Sequence, residues 1–509
     1  MTQRRRLNNR MKCFNLCKGA EMKRSILLWP AVIAFLSFVT AASFGINVPI
    51  PMAIDIDDLG WKEGWDLNQS GGPYRLGLPK GRMMTLDDYE VIVEVARAAG
   101  VRIKCLFIMS EFDRSNICAQ YPTTNEHGSD WDNSALVNDN DFVIMDYVKD
   151  NAAHIEFGLH GIRHEFWDAE TRKPSRAEWA DSQKKRPYDV LWGHMECFKR
   201  LIDQFGIDFP KSVRTAAANY YYNPDDPEDS GALMRAWGVK YATLPPNRQY
   251  LTDHGLMVLM RSGGVAWDAP NSAPDVYPRT EFVTSHWTNF VDVDPANNHQ
   301  AADKWITWFN KVKDDPTRYT AKNTAQLHSQ FLYREFSEIS VTGNTVTIDN
   351  SEMPNWAYKL DLLGNLLLKH KLEDGEHISS ASLDGGQIAC YYEQRGFAHT
   401  VLPRLQKKKY TLTFATATSD MPTYVLNDGT YNVEEFQSSA DKALVGLEMY
   451  GTQEVKVKLP FEPAQVTSDN ADLQIKRWRY EAPFINMVIH GKNMQGQTGT
   501  VTISGKSRS

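Results

Sequence analysis

Cysteine is scarce and widely spaced in this chain, with only six residues among 509. Cys13 and Cys17 belong to the N-terminal leader. The other four are Cys105, Cys118, Cys197 and Cys390. Their irregular spacing is not that of a zinc ribbon, and four cysteines are too few to form the disulfide scaffold of so long a chain. The pairing that the sequence leaves open is Cys105 with Cys118, in an oxidising compartment.

The chain also lacks a long basic stripe beyond its first 24 residues. The formal net charge is −7 and the isoelectric point is near 6.0. Because binding to a phosphate backbone needs clustered Lys and Arg side chains, we expect no nucleic-acid partner. Apolar residues make up 42% of the chain, which is enough for large cores, and the length predicts two or three domains.

The apolar run at residues 26–39 is too short for an easy membrane span, and Pro30 and Ser37 interrupt it. A basic N-terminus precedes this run and small residues follow it. This order predicts a cleaved signal peptide over residues 1–43, with an uncleaved membrane anchor as the alternative. Residues 1–21 are a candidate over-extension of the start. We therefore expect a secreted or periplasmic protein with no stable membrane span after cleavage.

Helical and strand patterns alternate over most of the N-terminal two thirds of the chain. Helical patterns lie at residues 85–99, 189–206, 232–238 and 301–312, and strand patterns at residues 53–59, 101–109, 154–159, 212–214, 240–244, 257–260 and 281–285. This alternation predicts parallel βαβ units, and some seven rounds favour a barrel over an open sheet. In such a barrel, functional side chains gather at the carboxyl ends of the strands.

Polar residues at the predicted strand ends form a chemically coherent set. The first strand ends in Asp55, Asp57 and Asp58, and a bound cation would relieve the repulsion between adjacent carboxylates. One acid would then be a ligand and its neighbour a base of low pKa. His160 and His164 follow a later strand, and their spacing would place both imidazoles on one face of a helical turn. Together with a carboxylate, they could form a metal site with three protein ligands.

The chain resembles the polysaccharide deacetylases of carbohydrate esterase family 4 at three motifs. The first family motif, Thr-Phe-Asp-Asp-Gly, is similar to residues 55–60, where Gly60 stands one position later. The second, His-Ser/Thr-x-x-His, is similar to residues 160–164, where Gly161 replaces the hydroxyl residue. Of the third, Arg-x-Pro-x-Gly, only Arg214 is retained.

The resemblance covers about residues 46–320 and implies a distorted (β/α)7 barrel, which we assign to residues 44–337. It implies that Asp57 is the catalytic base. It also implies a divalent metal, usually zinc, held by Asp58, His160 and His164. The implied reaction is hydrolysis of an acetamide or acetate ester on an acetylated polysaccharide or oligosaccharide.

The same resemblance implies further members of the site. Arg214 would orient the base, and Asp268, beside Trp267, is the nearest match to an Asp that adjusts the family's catalytic histidine. For the catalytic acid, His286 ends a strand that a loop and an amphipathic helix follow. His328 matches the family's Leu-His pattern, but we expect no closing helix after it. We therefore favour His286, with His328 as the alternative acid.

Aromatic residues near the strand ends suit stacking on sugar rings. The candidates for substrate binding are Tyr220, Trp267 and Trp287. Two other functions remain open: a glycan-binding barrel of the same superfamily without turnover, and a glycoside hydrolase on a related barrel. The latter would need two carboxylates roughly 5 to 10 Å apart across the scissile bond, and it would leave the histidine pair without a role.

The pattern changes after about residue 338. Residues 341–348 predict a hairpin with Gly343 and Asn344 in its turn, and later segments alternate with period two. Residues 338–509 therefore predict an all-β accessory domain of one or two sandwiches, which carries no cluster of metal ligands in its sequence.

Overall fold

The computed structural model describes residues 45–506 except 63–64, 67–73, 76, 80–81, 176, 182–183, 245–249, 263, 267, 276, 278–280 and 389. The predicted signal peptide and Trp267 lie outside these residues. None of the helices in the described part of the chain has the length and hydropathy that a membrane crossing requires.

Seven parallel strands form a closed barrel, which confirms the predicted (β/α)7 fold. The strands are β1 Ile50–Leu59, β2 Ile103–Ile108, β3 Ile155–Gly161, β4 Ser212–Val213, β5 Tyr241–Leu244, β6 Leu256–Ser262 and β7 Phe282–His286. Each strand pairs with the next in parallel register, and β7 pairs with β1 to close the ring. All carboxyl ends therefore meet at one mouth.

Helices cover the outside of the barrel. They are α1 Leu86–Ala99, α2 Asn140–Asp150, α3 Tyr188–Asp203, α4 Ser230–Ala236, α5 Asn298–Asp314 and α6 Thr324–Phe336. The first begins at the N-cap Thr85, which forms a capping box with Asp88, and ends at Gly100 with a φ of 70°. The expectation that no helix follows the Leu327-His328 pair is wrong, because both residues lie inside α6.

The strands of the remaining chain pair mainly antiparallel, as the alternating patterns predict, although Cys390–Gln394 and Tyr424–Leu426 are parallel. The largest sheet contains the strands Ile46–Asn47, Leu366–Lys371, Phe397–Leu402, Cys390–Gln394, Tyr424–Leu426, Gly451–Lys458, Phe484–Gly491 and Leu473–Glu481. A second sheet contains Glu338–Thr342, Thr345–Asp349, Lys409–Ala417, His377–Leu383 and Gly386–Gln387. A third contains Asn432–Ser438, Lys442–Met449, Gln497–Gly505 and Pro463–Ser468. The short helix α7 is Asn355–Lys359.

The barrel and the β-rich part form one compact unit. Arg102, just before β2, donates from Nη2 to the carbonyl oxygen of Met494 at 2.9 Å. Gln495 Nε2 donates to the Phe157 carbonyl oxygen at 3.2 Å. The strand Ile46–Asn47, which leads into the barrel, pairs with the β-rich part instead. The β-rich part therefore contacts the amino ends of the barrel strands, away from the mouth.

The cysteines do not pair as the sequence suggested. All four in the described part of the chain are buried free thiols. Cys118 Sγ lies 3.8 Å from Cys197 Sγ, on the helix α3. The neighbour of Cys118 is therefore a residue 79 positions away, and the expected pairing with Cys105 is not formed.

Candidate active site

The carboxyl end of β1 is irregular, and this irregularity sets the positions of its acids. The register against β2 shifts by one residue between Ile56 and Leu59, which is a β-bulge. Asp58 lies in the bulge with a φ of 65°, and Gly60 follows with a φ of 98°. A Cβ at Gly60 would lie 2.0 Å from the Ile108 carbonyl oxygen, so only glycine fits there.

The two histidines of the second motif come together in a different way from the one expected. They do not lie on a helical turn. His160 is in β3, and His164 lies in the bend that follows this strand, where its own φ is 70°. Their ring centroids are 5.3 Å apart. The Trp61 ring packs against His164 with centroids 5.1 Å apart. Strand end and bend together therefore achieve the juxtaposition that a helical turn was expected to provide.

Asp58, His160 and His164 offer donor atoms that all lie within 4.8 Å of one another, and all three side chains are buried. Among the residues that the structure describes, these three form the one group of at least three His, Cys, Asp or Glu side chains that could hold a metal ion. One carboxylate and two imidazoles suit zinc, with coordination positions left for water and substrate.

Hydrogen bonds fix the His160 ring in an orientation that fits a cation. His160 Nδ1 lies 2.7 Å from the backbone carbonyl oxygen of Arg214 and therefore carries the proton. In the neutral ring, Nε2 then presents a lone pair to Asp58 Oδ1, only 3.0 Å away. Two acceptors this close need a proton or a cation between them. His164 Nε2 accepts the N–H of Ala217 at 3.0 Å, so in the neutral ring Nε2 holds the lone pair and Nδ1 carries the proton. A cation would bind Nε2 in place of that hydrogen bond.

The pKa values of Asp58 and His160 shift in opposite directions because each side chain stabilises the charged form of the other. Burial alone would raise the pKa of Asp58, but the hydrogen bond and positive charge of His160 outweigh it and lower that pKa. Burial would likewise lower the pKa of His160, but the hydrogen bond to Asp58 and the charges of Asp57 and Asp58 raise it. The site thus favours one positive charge beside these carboxylates.

Arg214 lies beside Asp57, as the third motif implies. Its Nε is 3.9 Å from Asp57 Oδ2, and its Nη1 donates to the Thr243 carbonyl oxygen at 3.1 Å. The Thr243 hydroxyl in turn donates to Asp55 Oδ2 at 2.6 Å. Lys104 Nζ lies 3.6 Å from the same oxygen of Asp55. Asp55 therefore belongs to a buried polar network inside the barrel, apart from the three candidate ligands.

His286 ends β7 at the mouth. It is in parallel register with Asp57, and its Nε2 lies 3.5 Å from Asp58 Oδ2. Asn289 forms a reciprocal capping arrangement with it, in which Asn289 Oδ1 accepts the His286 N–H at 2.8 Å. The exposed Asp268 lies in a turn whose neighbours Ala266 and Ala269 accept hydrogen bonds from Asn289. Asn289 therefore fixes both His286 and this turn.

His328 lies at the opposite end of the barrel. Its ring packs 4.5 Å from the Tyr241 ring and 5.9 Å from the Phe282 ring, centroid to centroid, and these are the first residues of β5 and β7. Nδ1 is 2.8 Å from the Thr324 carbonyl oxygen. Complete burial lowers the pKa of His328 to about 3. The alternative assignment of His328 as the acid is therefore contradicted by its distance from the mouth.

The aromatic candidates are placed differently from the expectation. Trp287 is fully buried and Tyr220 is 3% exposed, both in the hydrophobic core of the barrel. A ring without an exposed face cannot stack on a sugar in this conformation, which corrects the role expected for these two residues. Trp267 lies outside the described residues.

Three buried residues that support the site were missed in the sequence. Asn289 was detectable, because a side-chain acceptor three residues after His286 is a capping pattern. Glu178 and Trp179 hold the bend around residues 160–164 from a loop before α3, and no local pattern marks them.

Comparisons with known proteins give distant likenesses. No family model matches the chain, and no curated protein matches it. The carbohydrate deacetylase Agd3 superposes with a TM-score of 0.42 at 10% identity, over 73% of this chain and 66% of Agd3. A family 4 carbohydrate esterase from Streptomyces lividans superposes with a TM-score of 0.24 at 12% identity, over 51% of this chain and 88% of the esterase. Endo-glycoceramidase II from Rhodococcus sp. superposes with a TM-score of 0.21 at 10% identity, over 90% of this chain and 98% of the glycoceramidase.

Proposed function

We propose that this protein is a metal-dependent hydrolase that removes N- or O-linked acetyl groups from a polysaccharide or oligosaccharide. The observation that carries the proposal is the buried group of Asp58, His160 and His164 at the barrel mouth, with donor atoms within 4.8 Å of one another. Asp57 and His286 flank this group. A ligand set, a candidate base and a candidate acid therefore converge on one place.

Each residue has a chemical task in the proposed reaction. A zinc ion bound by these ligands would act as a Lewis acid on the acetyl oxygen. Asp57 takes a proton from the attacking water while Arg214 holds its carboxylate. As the bond from the acetyl carbon to the sugar nitrogen or oxygen breaks, His286 donates a proton to the leaving group. Acetate is released, and proton transfer from Asp57 to His286 through solvent restores both groups.

The proposal extends to where the protein acts and how it is divided. We infer a secreted or periplasmic enzyme because of the leader at residues 1–43. We assign the chemistry to residues 44–337, since every candidate site residue precedes residue 338. Residues 338–509 would be an accessory part that supports the barrel.

Two measurements on the purified protein test this proposal. We expect about one zinc ion per chain by elemental analysis, and acetate release from at least one member of a panel of N- and O-acetylated glycans. A His160→Ala, His164→Ala double variant should lose both, whereas His299→Ala, at an exposed histidine of α5, should lose neither.

Other outcomes separate the competing functions. Glycan binding with bound metal but no acetate release across the panel would favour a non-catalytic barrel. Shortened glycans without acetate would favour a glycoside hydrolase. Full metal occupancy in the double-histidine variant would overturn the ligand assignment itself.

A further inference from the structure

The bend between the two histidines is held by a residue from outside the motif. Glu178 is fully buried. Its carboxylate accepts the backbone N–H of Ile162, at 3.1 and 3.0 Å from the two oxygens, and the N–H of His164, at 3.1 Å from Oε2. The neighbouring Trp179 Nε1 donates to the His160 carbonyl oxygen at 2.8 Å. Two adjacent residues therefore hold three backbone groups of this short segment.

His164 needs such support because its backbone is in the left-handed region, with a φ of 70°. Residues other than glycine adopt this conformation rarely, and it persists where surrounding contacts enforce it. Here the enforcing contact is the hydrogen bond from the His164 N–H to Glu178. The direction of the imidazole follows from the backbone that this bond fixes.

Glu178 also explains why position 161 is glycine. A Cβ on Gly161 would lie 2.3 Å from Glu178 Oε2 and 3.1 Å from its carboxyl carbon, so no side chain fits while the carboxylate is there. The family motif that this segment resembles has a serine or threonine at this position. Such a hydroxyl can accept a backbone N–H two or three residues later, and His164 is three residues later.

We propose that Glu178 is a positioning residue that occupies the space and takes over the hydrogen bonds of the missing hydroxyl, thereby setting His164 for metal binding. This inference rests on the metal site of the proposed function. Because the carboxylate touches backbone and not metal, its effect is on the geometry of a ligand.

A second buried residue satisfies the carboxylate from its other side. His194 of α3 is fully buried, and its Nδ1 lies 3.1 Å from Glu178 Oε1. His194 Nε2 lies 2.9 Å from the Thr123 hydroxyl. A buried carboxylate is costly unless its acceptors are satisfied, and here two backbone N–H groups and an imidazole do so. The chain Thr123–His194–Glu178 therefore connects the bend to two other segments of the fold.

Cobalt binding to the metal-free full chain tests the inference, because Co2+ gives a visible spectrum that reports affinity and ligand geometry without any substrate. Glu178→Ala should bind Co2+ about 10- to 100-fold more weakly, the usual effect of removing a group that orients a metal ligand. Glu178→Gln keeps the size and one acceptor, so it should fold and lose less affinity. Glu196→Ala, at an exposed glutamate of α3, is the matched control and should bind as the wild type does.

Rescue separates positioning from general destabilisation. Gly161→Ser alone should weaken Co2+ binding, because its Cβ collides with Glu178. The same substitution in the Glu178→Ala chain has room, and its hydroxyl can accept the His164 N–H, so affinity should recover at least several-fold over Glu178→Ala. Wild-type affinity in both Glu178 variants or in Gly161→Ser alone, or no recovery in the double variant, would overturn the inference. Absence of Co2+ binding by the wild type would instead overturn the proposed metal site.

Discussion

His160 is held at both ring nitrogens: Nε2 is 3.0 Å from Asp58 Oδ1, and Nδ1 is 2.7 Å from the Arg214 carbonyl oxygen. Because Nδ1 is committed to that carbonyl group, a proton and a metal ion compete for Nε2. Without metal, the proton wins over a wider pH range than for a free histidine, since the neighbouring carboxylates raise the pKa of His160 despite its burial.

The first prediction is that metal affinity rises with pH above 6.5. The pKa of His160 is raised from its usual value of 6.5, and that of Asp58 is lowered from 3.8, so over this range His160 must lose a proton to bind metal and Asp58 need not. We expect affinity to rise about tenfold per pH unit until the pH passes the raised pKa, since one proton is displaced. Co2+ titrations between pH 6 and 8.5 measure this. A flat profile over that range would contradict the competition.

The second prediction concerns the acid. His286→Ala should lower turnover about 10²- to 10⁴-fold, the range of a general acid, with metal content unchanged. Initial rates of acetate release, together with elemental analysis, measure both quantities. His299→Ala, later in the same part of the chain and exposed, should keep normal turnover. Near-normal turnover in His286→Ala would remove His286 from the reaction.

The third prediction concerns stability in acid. Burial lowers the pKa of His328 from 6.5 to about 3, so the folded protein keeps this ring neutral while the unfolded chain takes up a proton below pH 6.5. The contribution of the neutral His328 ring to the free energy of unfolding is therefore fully present above pH 6.5 and is lost as the pH falls towards 3. His328→Phe suits the aromatic surroundings and cannot titrate. The free energy of unfolding should then fall less steeply with pH, by up to about 1.4 kcal/mol per pH unit.

Urea unfolding of both proteins at pH 6.5, 5.5 and 4.5 measures the two slopes. The variant should keep some acid sensitivity, because burial also lowers the pKa of His154, His370 and His399. Identical slopes in the two proteins would show that His328 does not titrate as its burial requires.

The fourth prediction concerns the thiols. In a buffer containing oxidised glutathione, Cys118 and Cys197 should form a disulfide bond. The two protons and two electrons that they lose reduce the glutathione disulfide to two glutathione thiols. Their sulfur atoms are already 3.8 Å apart. Burial raises the pKa of Cys118, so exchange should be slow unless the protein is partly unfolded.

Peptide mapping by mass spectrometry identifies the linked residues. Cys197→Ser should abolish the bond, whereas Cys105→Ser should keep it. A linked peptide containing Cys105 and Cys118 would support the pairing that the sequence left open and would contradict the arrangement of these thiols in the fold.

The sequence by itself determined the barrel and the three candidate metal ligands. Periods of two and 3.6 residues mark strands and helices locally, and parallel strands bring their carboxyl ends to one mouth whatever the details of packing. His160 and His164 could therefore be grouped with a strand-end carboxylate without any knowledge of distances, and the family resemblance singled out Asp58 among the three acids. The change of pattern near residue 338 was readable for the same reason, and the structure has a helix ending at Phe336 and a hairpin starting at Glu338. The division into two domains at that point stays a prediction.

Only the tertiary structure decided which residues support those ligands and which candidates are buried. Glu178 fills the space over Gly161, Cys197 lies beside Cys118, and the strand Ile46–Asn47 pairs with Leu366–Lys371. Likewise, Trp287 points into the core and His328 lies beneath the barrel. Each of these facts depends on contacts between residues far apart in the chain, where packing and the satisfaction of buried polar groups select partners that no local pattern encodes.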